Sequence, residues 1–404
     1  MPPPPPPPGP SSKPCPPQGT YKFPPAPQPV PSLAPCTCPC PSDPSPRQEP
    51  PKNVTVPALF VFGDSLVDTG NNNNVSTPLR CNFRPYGIDF LQGVPTGRYS
   101  DGKVPSDFLG SFLWPFSPFL LTVNSSKSSF ASFLLYLGIK SVVPAYMDPK
   151  LQPDDLLTGV CFASGGSGYI PMTPTYLNVI PMLHQLTYFQ HYIARVKKLV
   201  GQEKGDQIIT NGLAIVFAGS NDMGITYYGP GAQWVKDDIY SFTSNMVESA
   251  TSFAMQLYGY GARHIGVAGM TPLGCIPAQR TLKGGPHRKC AQDVNYAVQI
   301  FNTKLSIALD HLAKTLPDSK LVFMDIYSPF SQILENPADY GFEVINRGCC
   351  GTGLVETGPL CNQETSTVCR NISAYLYWDS FHPSQRLYEI LTKILVKKYI
   401  PLLF

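Results

Sequence analysis

The sequence lacks the motifs by which proteins commonly hold metal ions and nucleotides. It contains no His-Glu-x-x-His motif and no paired Cys-x-x-Cys motifs, which are typical of zinc sites. A Walker loop and a dinucleotide-binding fingerprint are also missing. We therefore expect neither a metal ion nor a nucleotide cofactor.

Charge is also sparse, because only 14% of the residues are charged and 30 basic residues nearly balance 27 acidic ones. The net charge is +3, and no dense basic run occurs. Proteins that bind nucleic acid usually carry a clustered basic surface. The sequence therefore predicts no nucleic-acid partner.

The N-terminus has no basic and apolar segments of the kind that form a signal peptide, since Met1 is followed directly by seven prolines. The first 50 residues contain 22 of the 46 prolines, a composition that favours extended polyproline II structure with little apolar surface to bury. We predict a disordered, proline-rich tail over residues 1–52 and one globular domain over residues 53–404. The tail would act as a semi-rigid linker, as a segment that faces a cell wall, or as a leader without a ligand.

The cysteines favour an oxidising compartment. Six of them crowd the last third of the chain without metal-ligand spacing, so we expect disulfides of undetermined pairing among Cys275, Cys290, Cys349, Cys350, Cys361 and Cys369. Two others could pair or remain thiols, Cys81 and Cys161, and four more lie in the tail, Cys15, Cys36, Cys38 and Cys40. Glycosylation sequons occur at Asn53, Asn74, Asn124 and Asn371. We expect a secreted, extracellular protein, and hence a start upstream of Met1 or an incomplete gene prediction.

Short apolar segments alternate with amphipathic ones along the domain, a pattern that favours an α/β fold. Apolar spacing of three and four residues predicts helices over 237–257 and 291–316, and a further apolar stripe follows Pro383. We predict a doubly wound, flavodoxin-like parallel sheet flanked by helices. Its strand candidates are Val56–Phe62, Gly159–Ala163, Leu213–Ala218, His264–Ala268 and Leu321–Asp325.

A serine stands at the end of the first strand candidate, in the sequence Val61-Phe62-Gly63-Asp64-Ser65-Leu66. Gly63 permits a sharp turn there, and ligands bind at the carboxyl edge of open α/β sheets. Near the C-terminus, Asp379 and His382 are three residues apart, close enough for the carboxylate to orient the imidazole. Serine needs such a base to become a nucleophile. We therefore predict Ser65, His382 and Asp379 as a catalytic set.

These motifs resemble the GDSL esterase/lipase family, also called SGNH hydrolases, over roughly residues 54–404, and in particular its plant secreted branch. The resemblance consists of four blocks in order, at Ser65, at 162–168, at 219–222, and at Asp379 with His382. It implies that an oxyanion is stabilised by the backbone N–H groups of Ser65 and Gly165 and by the side-chain amide of Asn221. Gly166 remains an alternative to Gly165. Asp64 and Asp222, which also lie in these blocks, are expected to brace loops.

The segment 110–136 departs from the family pattern and is predicted to be an insertion. It carries apolar groups, but two prolines and the polar run 124–129 exclude a membrane-spanning helix of about 20 residues. Three interpretations remain open: a lid or lipid-contact loop, an interface wedge, and retained intron sequence in a predicted gene.

The resemblance implies hydrolysis of a carboxylic ester through an acyl-enzyme intermediate, with a lipid, cutin-like or acetylated wall ester as substrate. Two alternatives remain. One is a structural, proline-rich cell-wall protein with a vestigial hydrolase domain, whose tail associates with the wall. The other is a carbohydrate- or lipid-binding module that retains the hydrolase fold.

Overall fold

The structure of the protein is a computed structural model that describes residues 56–112, 140–364 and 366–404. The predicted tail at 1–52 lies outside the described residues, as does the predicted insertion apart from its first three residues. Those three, 110–112, complete the helix that begins at Pro105.

The described residues form a parallel sheet with helices on both faces, a small second sheet and several single helical turns. The strands are β1 (Leu59–Gly63), β2 (Leu213–Phe217), β3 (His264–Ala268), β4 (Lys320–Met324), β5 (Val344–Gly348) and β6 (Tyr375–Tyr377). The helices are α1 (Pro105–Phe112), α2 (Pro153–Leu157), α3 (Met172–Leu177), α4 (Met182–Val200), α5 (Gln202–Asn211), α6 (Ile239–Gly259), α7 (Pro277–Lys283), α8 (Gln292–Ala313), α9 (Tyr327–Glu335) and α10 (Gln385–Leu403). A wide helical turn covers Asp222–Tyr227, and 3₁₀ turns cover Asn71–Asn74, Leu91–Gly93, Pro230–Trp234, Leu273–Cys275, Pro337–Tyr340, Gly358–Leu360 and Ile372–Ala374.

The main sheet has the order β1-β2-β3-β4, and every pair in it is parallel. A further extended segment lies on the free side of β1, because the Val61 N–H donates to the Val160 carbonyl and the Phe162 N–H donates to the Val61 carbonyl. Numbered along the chain, the five segments have the order 2-1-3-4-5, which is that of the flavodoxin-like doubly wound fold. The predicted fold class is confirmed.

Alternating side chains of β1 enter two separate cores, as the period of two in a strand requires. On one face, Phe60 packs against Phe189 of α4 with 5.2 Å between ring centroids, and Phe62 packs against Phe253 of α6 at 5.5 Å. On the other face, Leu59 and Val61 join residues of α1 and α10. Burial on both faces explains why this strand is apolar throughout.

The strands match their predicted positions closely, with differences at the ends. The predicted strand 264–268 is found without change, whereas the strand predicted over 56–62 begins only at Leu59. Pro57 precedes it and has no backbone N–H to donate to a ladder. The segment predicted over 159–163 pairs with β1 and forms a bridge at Cys161, but it is too irregular to form a full strand.

The disulfide prediction for the last third of the chain is confirmed, because the six cysteines there pair as Cys275–Cys290, Cys349–Cys369 and Cys350–Cys361. Cys81 and Cys161 are buried thiols. Of the four sequons, Asn74 and Asn371 fall within the described residues, and both are exposed. No helix of the described ranges is long and apolar enough to cross a bilayer.

Candidate active site

A glycine turn at the carboxyl end of β1 places Ser65 at the sheet edge. Gly63 has a φ of 137°, and a Cβ atom added there would lie 1.8 Å from the Phe217 carbonyl oxygen, so only glycine fits. The side-chain amide of Gln185, on α4, both donates to the Gly63 carbonyl and accepts from the Gly63 N–H, each at 2.8 Å. The turn before Ser65 is therefore fixed from two sides.

Three side chains from the two ends of the domain meet at this edge. The Nε2 atom of His382 lies 2.9 Å from the Ser65 Oγ atom, and the His382 Nδ1 atom lies 2.8 Å from the Asp379 Oδ2 atom. When Nδ1 carries the proton and donates it to Asp379, Nε2 is free to accept the hydroxyl proton of Ser65. This chain of hydrogen bonds is the arrangement that activates a serine.

Asp379 is completely buried yet remains suited to carry a negative charge. Burial alone would raise its pKa, but the charge of His382 and hydrogen bonds from His382, Tyr86 and the Phe381 N–H outweigh burial, and the pKa lies below its ordinary value of 3.8. The carboxylate can therefore orient the imidazole and stabilise it when it takes up a proton.

The three predicted oxyanion donors differ in their present partners. Within the described residues, the Ser65 N–H donates to no protein group. The Asn221 amide, which follows β2, donates one N–H to the Ser167 carbonyl at 2.9 Å and lines the same cavity as Ser65. The Gly165 N–H donates to the Asp68 Oδ2 atom at 2.9 Å. The roles of these three residues, and of Gly166 as the alternative, stay predictions.

Two asparagines that the sequence did not identify as functional tie the turn after Ser65 to the Gly165 loop. The Asn71 amide donates to the carbonyls of Cys161 and Ala163, and the Asn72 amide donates to the Gly165 carbonyl. Both asparagines are buried, so their polar atoms need such partners. A run of asparagines beside the nucleophile was the available signal, but it does not reveal which backbone groups are bound.

Asp64 and Asp222, predicted to brace loops, both accept backbone hydrogen bonds. Asp222 accepts from the N–H groups of Tyr169 and Ile170, and Asp64 accepts from the Leu66 N–H through its Oδ1 atom. The Oδ2 atom of Asp64 is buried and has no hydrogen-bond partner among the described residues. The pKa of Asp64 is raised to about 7, because the effect of burial is larger than the opposing effects of the Leu66 hydrogen bond and the charge of His382.

The segment 98–103 lies next to His382 and the start of α10. Arg98 forms a two-pronged ion pair with Asp107, with both N–O distances at 2.7 Å, and both side chains are almost fully buried. The ring of Tyr99 lies 5.0 Å from the His382 ring. The Asp101 Oδ1 atom accepts from the Gln385 N–H at the start of α10. The segment therefore contacts both His382, the candidate catalytic histidine, and the first residue of α10.

A small cavity opens beside the Ser65 hydroxyl. The volume available to the centres of water molecules is about 30 Å³. Its polar wall contains Ser65, Asn221 and His382, and its apolar wall contains Leu66, Leu273, Ile276, Phe330, Tyr377 and Phe381. Among the described residues, no group of three or more histidine, cysteine or acidic side chains could hold a metal ion.

Comparison with known proteins agrees with this fold. Residues 59–395 match the family model of the GDSL-like lipase/acylhydrolases. The chain is 52% identical to the GDSL esterase/lipase At1g20120 of Arabidopsis thaliana over 85% of this chain and 80% of that protein. It is 48% identical to the GDSL esterase/lipase EXL3 of the same plant over 87% of this chain and 89% of that protein.

The proline-rich relatives include the anther-specific proline-rich protein APG of Arabidopsis thaliana, which is 51% identical over 87% of this chain. The match covers 63% of that longer protein. The chain belongs to the GDSL lipase/acylhydrolase family. Its class is that of the serine ester hydrolases, and the alternative of a structural wall protein with a vestigial domain is not favoured.

Proposed function

We propose that the protein hydrolyses carboxylic esters by a two-step mechanism in which Ser65 is the nucleophile, His382 the general base and acid, and Asp379 the residue that orients His382. The observation that carries this proposal is the continuous hydrogen-bond chain from the Ser65 Oγ atom through both ring nitrogens of His382 to Asp379. All three side chains are buried or nearly so, which strengthens their interactions.

In the first step, the Ser65 Oγ atom bonds to the ester carbonyl carbon while its proton passes to His382 Nε2. The carbonyl π bond breaks, and the resulting oxyanion is stabilised by the Ser65 N–H and by the Asn221 amide. Gly165 is the third proposed donor. To stabilise the oxyanion, its N–H must break its hydrogen bond to Asp68 and donate to the oxyanion instead. The carbonyl re-forms, the alcohol leaves with the proton from His382, and an acyl-serine ester remains.

In the second step, His382 removes a proton from water, and the resulting hydroxide attacks the acyl-serine carbonyl. The oxyanion forms again in the same place, and its collapse releases the carboxylic acid while His382 returns the proton to Ser65. No redox change occurs, so this chemistry needs only water as its second substrate. Lipid, cutin-like and acetylated wall esters are the proposed substrates.

An extracellular location is proposed on chemical grounds. Three disulfides are typical of proteins from oxidising compartments. The exposed sequons at Asn74 and Asn371 are accessible to glycosylation enzymes. We further propose that the proline-rich tail at 1–52 associates with the cell wall.

Covalent labelling tests the function directly. The purified protein is treated with a fluorophosphonate, and the modified residue is mapped by peptide mass analysis. We expect a single phosphonylated serine, Ser65, together with turnover of p-nitrophenyl acetate that is lost in Ser65→Ala and His382→Ala variants. Turnover equal in these variants and the unchanged protein would contradict the proposal and favour a binding or structural protein.

A further inference from the structure

Asp379 accepts hydrogen bonds from two hydroxyl groups that lie far from the catalytic motifs in sequence. The Tyr86 hydroxyl donates to the Asp379 Oδ2 atom at 2.7 Å, and the Thr357 hydroxyl donates to the same atom at 2.9 Å. His382 Nδ1 is the third donor to this oxygen. The other oxygen, Oδ1, accepts from the N–H groups of Phe381 and His382. Each oxygen of the carboxylate therefore accepts at least two hydrogen bonds.

The two hydroxyl groups are held by the backbone around them. Besides donating to Asp379, the Tyr86 hydroxyl accepts from the Gly358 N–H at 2.7 Å, so Tyr86 also fixes the residue after Thr357. The Tyr86 side chain is completely buried and packs edge-on against Trp378, with 6.0 Å between ring centroids. Because Tyr86 is locked by packing, its hydroxyl can define the position of the carboxylate.

Thr357 lies in the loop 351–360, which the Cys350–Cys361 disulfide closes. The loop is fastened to the catalytic segment at both sides of Asp379, since Cys350 N–H donates to the Trp378 carbonyl and Ser380 N–H donates to the Glu356 carbonyl, each at 2.9 Å. Within the loop, the Glu356 carboxylate accepts the N–H groups at 352, 354 and 355. These bonds make the loop a rigid support for the Thr357 hydroxyl.

We propose that Tyr86 and Thr357 are positioning residues that hold the Asp379 carboxylate toward His382, and that the disulfide-closed loop 351–360 is part of this support. The inference rests on the proposed function, because it assigns a role within the same hydrogen-bond chain. The two hydroxyls stabilise the charged form of Asp379 and prevent its rotation away from Nδ1. Neither residue lines the cavity beside Ser65, so we expect them to act only through Asp379.

The test compares Tyr86→Phe and Thr357→Val with a matched control. The control is Tyr388→Phe, because Tyr388 is also buried but its hydroxyl has no hydrogen-bond partner among the described residues. With p-nitrophenyl acetate, we expect kcat to fall about tenfold in each positioning variant, as for loss of one hydrogen bond to a charged group. KM should stay within about twofold, since substrate binding is untouched. Thr357→Ser, which keeps the hydroxyl, should retain most of the activity.

The pH profile separates positioning from general damage to the fold. A carboxylate that has lost a donor takes up a proton more readily, so the acid limb of the kcat/KM profile should move to higher pH in Tyr86→Phe and Thr357→Val. The control should keep the profile of the unchanged protein. Equal kcat values and equal acid limbs in the positioning variants and the control would overturn the inference, as would an equal loss of kcat in all three.

A spectroscopic measurement keeps the inference testable if the proposed function itself fails. The proton between His382 Nδ1 and Asp379 gives a low-field proton resonance whose position depends on the donors to the carboxylate. We expect this resonance to shift in Tyr86→Phe and Thr357→Val but not in Tyr388→Phe. Absence of ester turnover in the unchanged protein would contradict the hydrolase proposal alone, whereas an unshifted resonance would contradict the positioning role alone.

Discussion

The backbone N–H of Gly165 donates a hydrogen bond to the Asp68 Oδ2 atom, with 2.9 Å between the two atoms. Asp68 is completely buried, and its Oδ1 atom accepts from the N–H groups of Gly70 and Asn71. The predicted third oxyanion donor is therefore engaged by an acceptor from the turn that follows Ser65. As long as this bond persists, we expect Asn221 and the Ser65 N–H to supply most of the stabilisation of the oxyanion.

Replacement of Asn221 by alanine should accordingly reduce kcat for p-nitrophenyl acetate by about 10²-fold to 10³-fold, the usual effect of removing one oxyanion donor. KM should change little, because the negative charge develops only in the transition state. Steady-state kinetics with Asn221→Ala and Asn221→Asp measure this effect. Asn302→Ala is the matched control, since that side chain also bonds to backbone, at Met270, but lies outside the cavity beside Ser65. A loss of kcat in the control as large as that in Asn221→Ala would contradict the assignment.

The sequence is sufficient to predict contacts that depend on short-range patterns. Ser65 follows a strand and a glycine, and Asp379 and His382 are only three residues apart, so spacing alone suggested their interaction. The strand 264–268 is predicted without error because it is a short, mostly apolar run between Arg263 and Gly269. A buried strand needs a run of apolar residues, and such a run is visible in a single sequence.

The supporting contacts were not predictable because they join residues far apart along the chain. Tyr86 and Asp379 are separated by 293 residues, and Gln185 binds Gly63 across 122 residues. No periodicity marks one tyrosine or glutamine among many as the partner of a particular backbone group. Disulfide pairing was also open, since six cysteines allow 15 connectivities. Tertiary structure alone selects among these alternatives.

The buried carboxyl of Asp64 predicts a pH-dependent stability. Its pKa is raised from 3.8 to about 7 by burial, so the folded protein binds this proton more tightly than the unfolded chain. The stabilisation is complete below pH 3.8 and is lost as the pH rises to about 7, at a slope of at most about 1.4 kcal/mol per pH unit. Asp64→Asn, which mimics the neutral acid, should flatten this part of the curve.

Urea unfolding at intervals between pH 4 and pH 8 measures the effect on the free energy of unfolding. Burial also raises the pKa values of Asp68, Asp101 and Asp222 to about 6, so the unchanged protein should lose stability over a similar range from these groups as well. The difference between the unchanged protein and Asp64→Asn isolates the contribution of Asp64. The exposed Asp310→Asn is the control and should leave the slope unaltered. Identical slopes in Asp64→Asn and the unchanged protein would disprove the prediction.

The small cavity beside Ser65 predicts a preference for short acyl groups, and hence for acetylated wall esters over lipid or cutin-like esters among the proposed substrates. The centres of water molecules can occupy about 30 Å³ of this cavity, which corresponds to about two water molecules. Two water molecules are comparable in size to an acetyl or propionyl group. We expect kcat/KM for p-nitrophenyl acetate to exceed that for the octanoate by at least about tenfold, because longer chains must displace packed side chains. A series of p-nitrophenyl esters from two to eight acyl carbons measures this preference.

Enlargement of the cavity should shift that preference. Ile276 lines the cavity and is almost completely buried, so Ile276→Ala should raise the octanoate-to-acetate ratio of kcat/KM by about tenfold. Ile209→Ala is the matched control, because Ile209 is equally buried but lies in α5, outside the cavity. An unchanged ratio in Ile276→Ala, or the same change in both variants, would show that this cavity does not receive the acyl chain.

Removal of the Cys350–Cys361 disulfide should affect stability and catalysis together. The bond closes a loop with a sequence separation of 11, for which loop-closure entropy predicts a loss of about 3 kcal/mol in the free energy of unfolding. The same loop carries Thr357, whose hydroxyl binds Asp379, so the Cys350→Ala/Cys361→Ala protein should also show a kcat about tenfold lower. Urea unfolding and steady-state kinetics on the same preparation measure the two effects. Thr357→Val provides the comparison, since its kcat should fall by the same factor of about ten while it keeps most of the stability. Full activity in a destabilised double variant would show that the loop keeps Thr357 on Asp379 without its disulfide.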